Sequence, residues 1–194
     1  MKKLDRTELY SLEEYAEKRG ALRAQVMAHK QNRRLAIGPN ATLYFEDRLT
    51  MQYQVQEMLR TEKVFEAAGI DEELETYNPL IPDGSNWKAT FMVEFPEEEE
   101  RRVMLRQLLG IENRVYTQVE GFEPVFAIAD EDLERADDEK TSAVHFLRFE
   151  LASDQRAALK SGAGIAAGID HPNCQVEISP LPENIRLSLL ADLD

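Results

Sequence analysis

Helical and extended patterns are segregated along this chain. The first third carries apolar residues at helical spacing, whereas from residue 85 onward the apolar runs are mostly short and β-prone. A doubly wound fold needs the two patterns to alternate, so the segregation selects α+β. The expected architecture is N-terminal helices with a β-hairpin, then a mostly antiparallel sheet with short helices. It is read as one domain over 1–194, helical in 1–84 and sheet-rich in 85–194.

Local signals fill in the elements. Ser11 followed by Glu14 has the spacing of a capping box, and Leu12, Tyr15 and Ala16 open a helical stripe behind it. Leu22, Val26 and Met27 continue the stripe to about His29, with a break expected at Gly20. Arg34–Ile37 and Ala41–Phe45 flank Gly38-Pro39-Asn40 and read as a hairpin. Asp47 then caps a helix expected to run to about Ala68 and to stop at Gly69. A short acidic helix, Asp71–Tyr77, leads into a loop held by Pro79, Pro82 and Gly84.

Beyond that loop, Ala89–Phe95 reads as a strand. Pro96 opens a helix with Glu97–Glu100 in its first turn and Arg101, Arg102 and Arg106 later, an order that suits the helix dipole. Further strands are expected at 115–120, 125–129, 144–151, 165–169 and 174–178, with an acidic loop over 130–140. Ser153 is expected to cap a short helix, and Pro182 to open a Leu-rich C-terminal one whose face suits a homo-oligomer contact.

Charge and cysteine content exclude several classes of function. The 194-residue chain has a net charge of −14, a field that repels phosphate backbones and anionic lipid. No nucleic-acid or membrane partner is expected. The stretch His29–Arg34 is basic, yet long enough for one small anion only. No segment approaches the roughly 20 apolar residues of a membrane helix, and no apolar run follows Lys2-Lys3 as a signal peptide requires. Cys174 is the one cysteine, so neither an intrachain disulfide nor an iron–sulfur cluster held by the chain's own cysteines can form. These features fit a cytoplasmic protein.

Candidate chemistry centres on the helix after Asp47. Glu46, Thr50, Tyr53, Glu57 and Arg60 share one stripe of it, opposite Met51, Val55, Met58 and Leu59. A helix that is apolar on more than one side is covered on more than one side, which buries part of Glu57. A buried carboxylate needs a partner, and Arg60, three residues on, is the local one. Alternatively, Glu46, Tyr53 and Glu57 line a pocket or bind a metal. Strand alternation places His145 with Leu147 and Phe149, and Arg148 and Glu150 on the other face. His171 ends a strand. Glu57, His145 and His171 are the metal-ligand candidates, although no local ligand spacing joins them; otherwise each imidazole is structural. Gly162, Gly164 and Gly168 are not a phosphate loop, because they follow a helix and precede no other.

Several longer strings carry a family resemblance. They are Phe45-Glu46-Asp47-Arg48-Leu49-Thr50, Tyr77-Asn78-Pro79-Leu80-Ile81-Pro82, the run from Lys140 to Glu150, and Asp170-His171-Pro172. Together they resemble the bacterial domain-of-unknown-function 3501 family over nearly the whole chain. The resemblance implies no activity. It implies a setting beside rubrerythrin-like di-iron proteins and iron–sulfur oxidoreductases. In that setting the protein is an accessory or interaction protein in a redox or metal-handling system. The alternative is a small-molecule or metal-dependent enzyme with its site between the 47–68 helix and the sheet, drawing on Glu46, Tyr53, Glu57, Arg60, His145, Arg148 and His171.

Overall fold

The computed structural model describes residues 2–133, 135 and 139–194. Its elements are α1 (Leu12–Lys30), β1 (Arg34–Ala36), β2 (Ala41–Glu46), α2 (Arg48–Glu62), α3 (Ala67–Tyr77), β3 (Asn86–Val93), α4 (Glu98–Gln107), β4 (Val115–Val119), β5 (Val125–Phe126), β6 (Ile128–Ala129), β7 (Val144–Glu150), α5 (Ser153–Lys160), β8 (Ile165–His171), β9 (Cys174–Ile178) and α6 (Glu183–Leu190). Short 3-10 turns lie at Arg6–Glu8, Asn78–Leu80 and Ile111–Arg114. The fold is α+β. Positions 134 and 136–138 of the expected acidic loop lie outside the described residues.

Two antiparallel sheets replace the single sheet expected. One has strand order β1-β2-β3-β7-β6 and the other β5-β4-β8-β9. The inward faces of both feed one core: Leu43, Phe45, Trp87, Phe91 and Phe149 from the first, Val115, Val119, Ile165 and Ile169 from the second. Helix α6 closes it with Ile185 and Leu189, and the Trp87 indole N–H donates to the Leu189 carbonyl at 3.0 Å. A separate small core joins Leu4, Met51, Val55, Leu59, Leu74 and Ile81 within the helical part.

Five elements depart from expectation. The run 125–129 is two strands in different sheets, and between them the buried Ala127 donates its N–H to Val115 at 2.9 Å. The helix after Asp47 ends at Lys63, which takes a left-handed conformation (φ 56°). Gly69 lies inside α3, where a Cβ would sit 2.7 Å from a Val64 methyl; it permits close approach rather than a stop. Helix α1 runs unbroken through Gly20, which faces open space. Ser153 is the first residue of α5, and Gln155 rather than Ser153 accepts from the preceding N–H, that of Ala152. No helix among the described residues is long and apolar enough to cross a membrane.

Candidate functional site

Antiparallel register sorts the side chains of the five-stranded sheet. Residues turned away from the core form cross-strand rows: Thr42, Met92 and Val144; Tyr44, Thr90 and Phe146; Glu46, Lys88 and Arg148. Helix α2 starts one residue after β2 because Asp47 caps it. Its Oδ1 accepts from Thr50 N at 2.9 Å, and Thr50 Oγ1 accepts from Asp47 N at 2.9 Å. The tight connection folds α2 back over this outer face. Met51 and Gln54 of α2, with Tyr77 and Leu80 from the end of α3 and its turn, look across at Tyr44, Glu46, Thr90, Met92 and Phe146.

The outer face carries a cleft with two lobes, one under α2 and one under the end of α3, beside Glu131, Asp132 and Arg135. The first, of about 360 Å³, holds Glu46. The second, of about 580 Å³, holds Lys88 and Arg148, and both share the walls Tyr77, Leu80 and Phe146. Glu46 is only 6% exposed. Its Oε1 accepts from Thr90 Oγ1 at 2.8 Å, while Oε2 is buried without a hydrogen-bond partner. Burial lowers the pKa of the half-buried Lys88 ammonium. Arg148 is committed to Glu131, at 2.7 and 2.8 Å, and to Glu150 at 2.5 Å.

The structure divides the predicted site residues among five places. Glu46 and Arg148 line the cleft. Tyr53 and Glu57 face α1 instead of the sheet. Glu57 is held by Arg19 through two bonds, at 2.7 and 2.8 Å, and by the Tyr15 hydroxyl at 2.5 Å. Arg19, not Arg60, is therefore its partner. Arg60 lies on the exposed side of α2. Fully buried His145 has Nδ1 2.5 Å from Asp130 Oδ2 and Nε2 2.8 Å from Thr141 Oγ1. His171 donates from Nε2 to the Leu109 carbonyl at 3.1 Å and accepts from Asn173 N at Nδ1. Both imidazoles are local struts. Among the described residues no group of three or more His, Cys, Asp or Glu is placed to hold a metal ion, and Glu57, His145 and His171 do not converge.

Arg19's hydrogen bonds, against the opposing effect of burial and with help from Tyr15, hold Glu57 at about 2. That value lies below the unfolded one, so its stabilisation is present above about pH 4.5 and is lost as pH falls toward about 2. Glu57→Gln is expected to cost about 2 kcal/mol at neutral pH, after discounting for solvent screening, and almost nothing near the acid limit. Urea midpoints of both proteins across this range check it; a deficit independent of pH would assign Glu57 to packing.

Sequence reasoning missed a second polar cluster. Two members of the basic run His29–Arg34 are already taken up by carboxylates. His29 Nε2 lies 2.5 Å from Asp47 Oδ2, and Arg33 is buried against Asp192, with Nη2 2.5 Å from Oδ2. Burial alone would raise the Asp47 carboxyl, but Arg33, the Thr50 N–H and His29 hold it below the usual carboxylate range. Asp47 was legible as a cap. Its second and third partners come from other elements, and no local spacing announces them. Cys174 is half-buried, and burial pushes its thiol up.

No curated protein matches this chain. A crystal structure of a novel protein of unknown function from Burkholderia pseudomallei K96243, at 1.90 Å resolution, is similar to it at 49% identity over 100% of both chains, with a TM-score of 0.94. The family match runs over residues 3–193, and the chain belongs to the family described as protein of unknown function, DUF3501.

Proposed function

We propose that this protein binds a small organic molecule in the cleft between the outer face of the five-stranded sheet and the cover formed by helix α2 and the end of α3. The observation that carries the reading is the cleft's lining. A helix laid over a sheet normally closes to interior density with apolar side chains. Here Glu46, Gln54, Thr90 and Lys88 stand among Tyr44, Tyr77, Leu80 and Phe146 around lobes of about 360 and 580 Å³. Apolar walls with a few convergent polar groups, as in the smaller lobe, are the usual make-up of a ligand site, and the larger lobe adds a charged wall of Lys88, Arg148, Glu131 and Asp132. The enzyme alternative loses its histidines, because His145 and His171 are bonded elsewhere. A redox or metal-handling setting rests on the family resemblance; the cleft supports binding and by itself names no reaction.

A cleft-filling substitution tests this. Met92→Trp, on the sheet floor, is expected to abolish binding of most fragments that ligand-observed NMR detects on the wild-type protein, with the circular dichroism spectrum unchanged. Leu80→Trp, on the opposite wall, serves as a second blocking variant. Fragments that bind all three proteins alike would place the binding surface elsewhere.

A further inference from the structure

We infer that the ligand of this cleft carries a protonated amine, accepted by the Glu46 carboxylate, on an apolar or aromatic body. The inference rests on the binding reading above and names its chemistry. Glu46 is the last residue of β2, and its backbone carbonyl is fixed by Arg33 Nη2 at 3.0 Å. The side chain is thereby anchored with its carboxylate in the wall of the smaller lobe. That carboxylate is more than nine-tenths buried, yet it has one neutral donor, the Thr90 hydroxyl, and one oxygen with no partner.

A buried carboxylate is ordinarily paired with a cation or satisfied at both oxygens. The chain's own cations do not do this here. Lys88 stands opposite Glu46 in the strand register, and Lys30 borders the lobe, but among the described residues neither forms an ion pair with it. A ligand ammonium supplies both the missing donor and the missing charge. Tyr77 and Phe146 line the same lobe, and aromatic faces favour a cation over an anion. The net charge of −14 favours a cation's approach. An acid-bearing ligand would set its carboxylate against that of Glu46.

Phenethylamine, phenethyl alcohol and hydrocinnamate share a body and differ in one group, so they are the probes. In NMR titrations of the wild-type protein, phenethylamine is expected to bind at least about tenfold more tightly than the alcohol, with the acid weakest. Glu46→Gln keeps the shape and one acceptor oxygen, and is expected to erase the preference for the amine. Equal binding of amine and alcohol by both proteins would overturn the inference. If Met92→Trp then abolished both, the cleft would still stand as a binding site. If Met92→Trp changed neither, the binding reading itself would fall. Absence of saturable binding by all three probes would also overturn the amine assignment, leaving the fragment screen to judge the cleft. A capped lysine peptide that displaces phenethylamine with higher affinity would overturn the small-molecule part in favour of a protein partner's lysine.

Discussion

Arg33→Met is expected to lower the unfolding free energy by about 3–5 kcal/mol, the range for removing one member of a buried ion pair. The guanidinium is 2% exposed and fully engaged. Nε donates to the Phe45 carbonyl at 2.9 Å, Nη2 to the Glu46 carbonyl at 3.0 Å, and Nη1 to Ser188 Oγ at 3.1 Å. Both Nη atoms also bond the Asp192 carboxylate, at 3.2 and 2.5 Å. Methionine fills much of the volume but leaves Asp192 buried without Arg33 and removes the same cation from beside Asp47. Adding Asp192→Leu to Arg33→Met is expected to recover part of the loss, because one stranded charge goes with it while Asp47, 3.4 Å from Arg33 Nε, keeps only His29 as a partner. Urea unfolding of wild type, single and double variants checks this. A double variant no more stable than the single one would mean that the carbonyl contacts, not the charges, carry the effect.

The same pair sets a pH dependence. Burial pushes the Asp192 carboxyl up to about 6, against the opposing pull of Arg33. Its folded pKa therefore exceeds the unfolded value of about 3.9. Stability from this group is fully present below about pH 4 and is lost as pH rises through about 6. Without Arg33 the carboxyl rises further. The deficit of Arg33→Met is therefore expected to be largest at neutral pH and to shrink on acidification toward about pH 5.

His145→Leu is expected to cost about 3 kcal/mol, chiefly through the polar groups it leaves behind. Its ring bridges Asp130 to Thr141, whose hydroxyl also bonds Glu112 Oε2 at 3.0 Å. Thr141 is 1% exposed, so it has no access to water as a replacement. Asp130 takes a left-handed conformation at φ 51°, and its Oδ1 accepts from Phe146 N at 3.0 Å. The histidine thus holds a strained residue against the strand that floors the cleft. Unfolding curves and elemental analysis of both proteins distinguish strut from ligand. Near-normal stability with loss of a bound metal would reverse the assignment.

Much of the fold was legible where its cause is local. The Ser11–Glu14 box forms as expected, with Glu14 N donating to Ser11 Oγ at 3.2 Å and Ser11 N to Glu14 Oε2 at 3.1 Å. Asp47 caps α2 for the same reason. Alternation along β7 placed His145 inward and Arg148 outward, as found. The readings that failed depend on partners distant in sequence. Arg19 reaches Glu57 from another helix, across 38 positions, whereas Arg60 was merely near in sequence. Gly69 resembles a helix stop until Val64 is seen pressed against it. For the site, Glu46 was a candidate through a helical stripe shared with Tyr53 and Glu57, yet it is the last residue of β2, and Glu57 turns to α1 instead. That Glu46 Oε2 is buried without a partner depends on how the surrounding elements settle over the sheet.

The switch of chain between sheets at Ala127 has a consequence for how this protein comes apart. β5 and β6 are two residues each, too short to hold an edge alone, and they are joined through one buried residue. Peeling β6 from β7 therefore tugs directly on β5 and its partner β4, so slack cannot accumulate between the two sheets. Cooperativity is written into the covalent path itself, as a stitch through two layers of cloth makes them tear together.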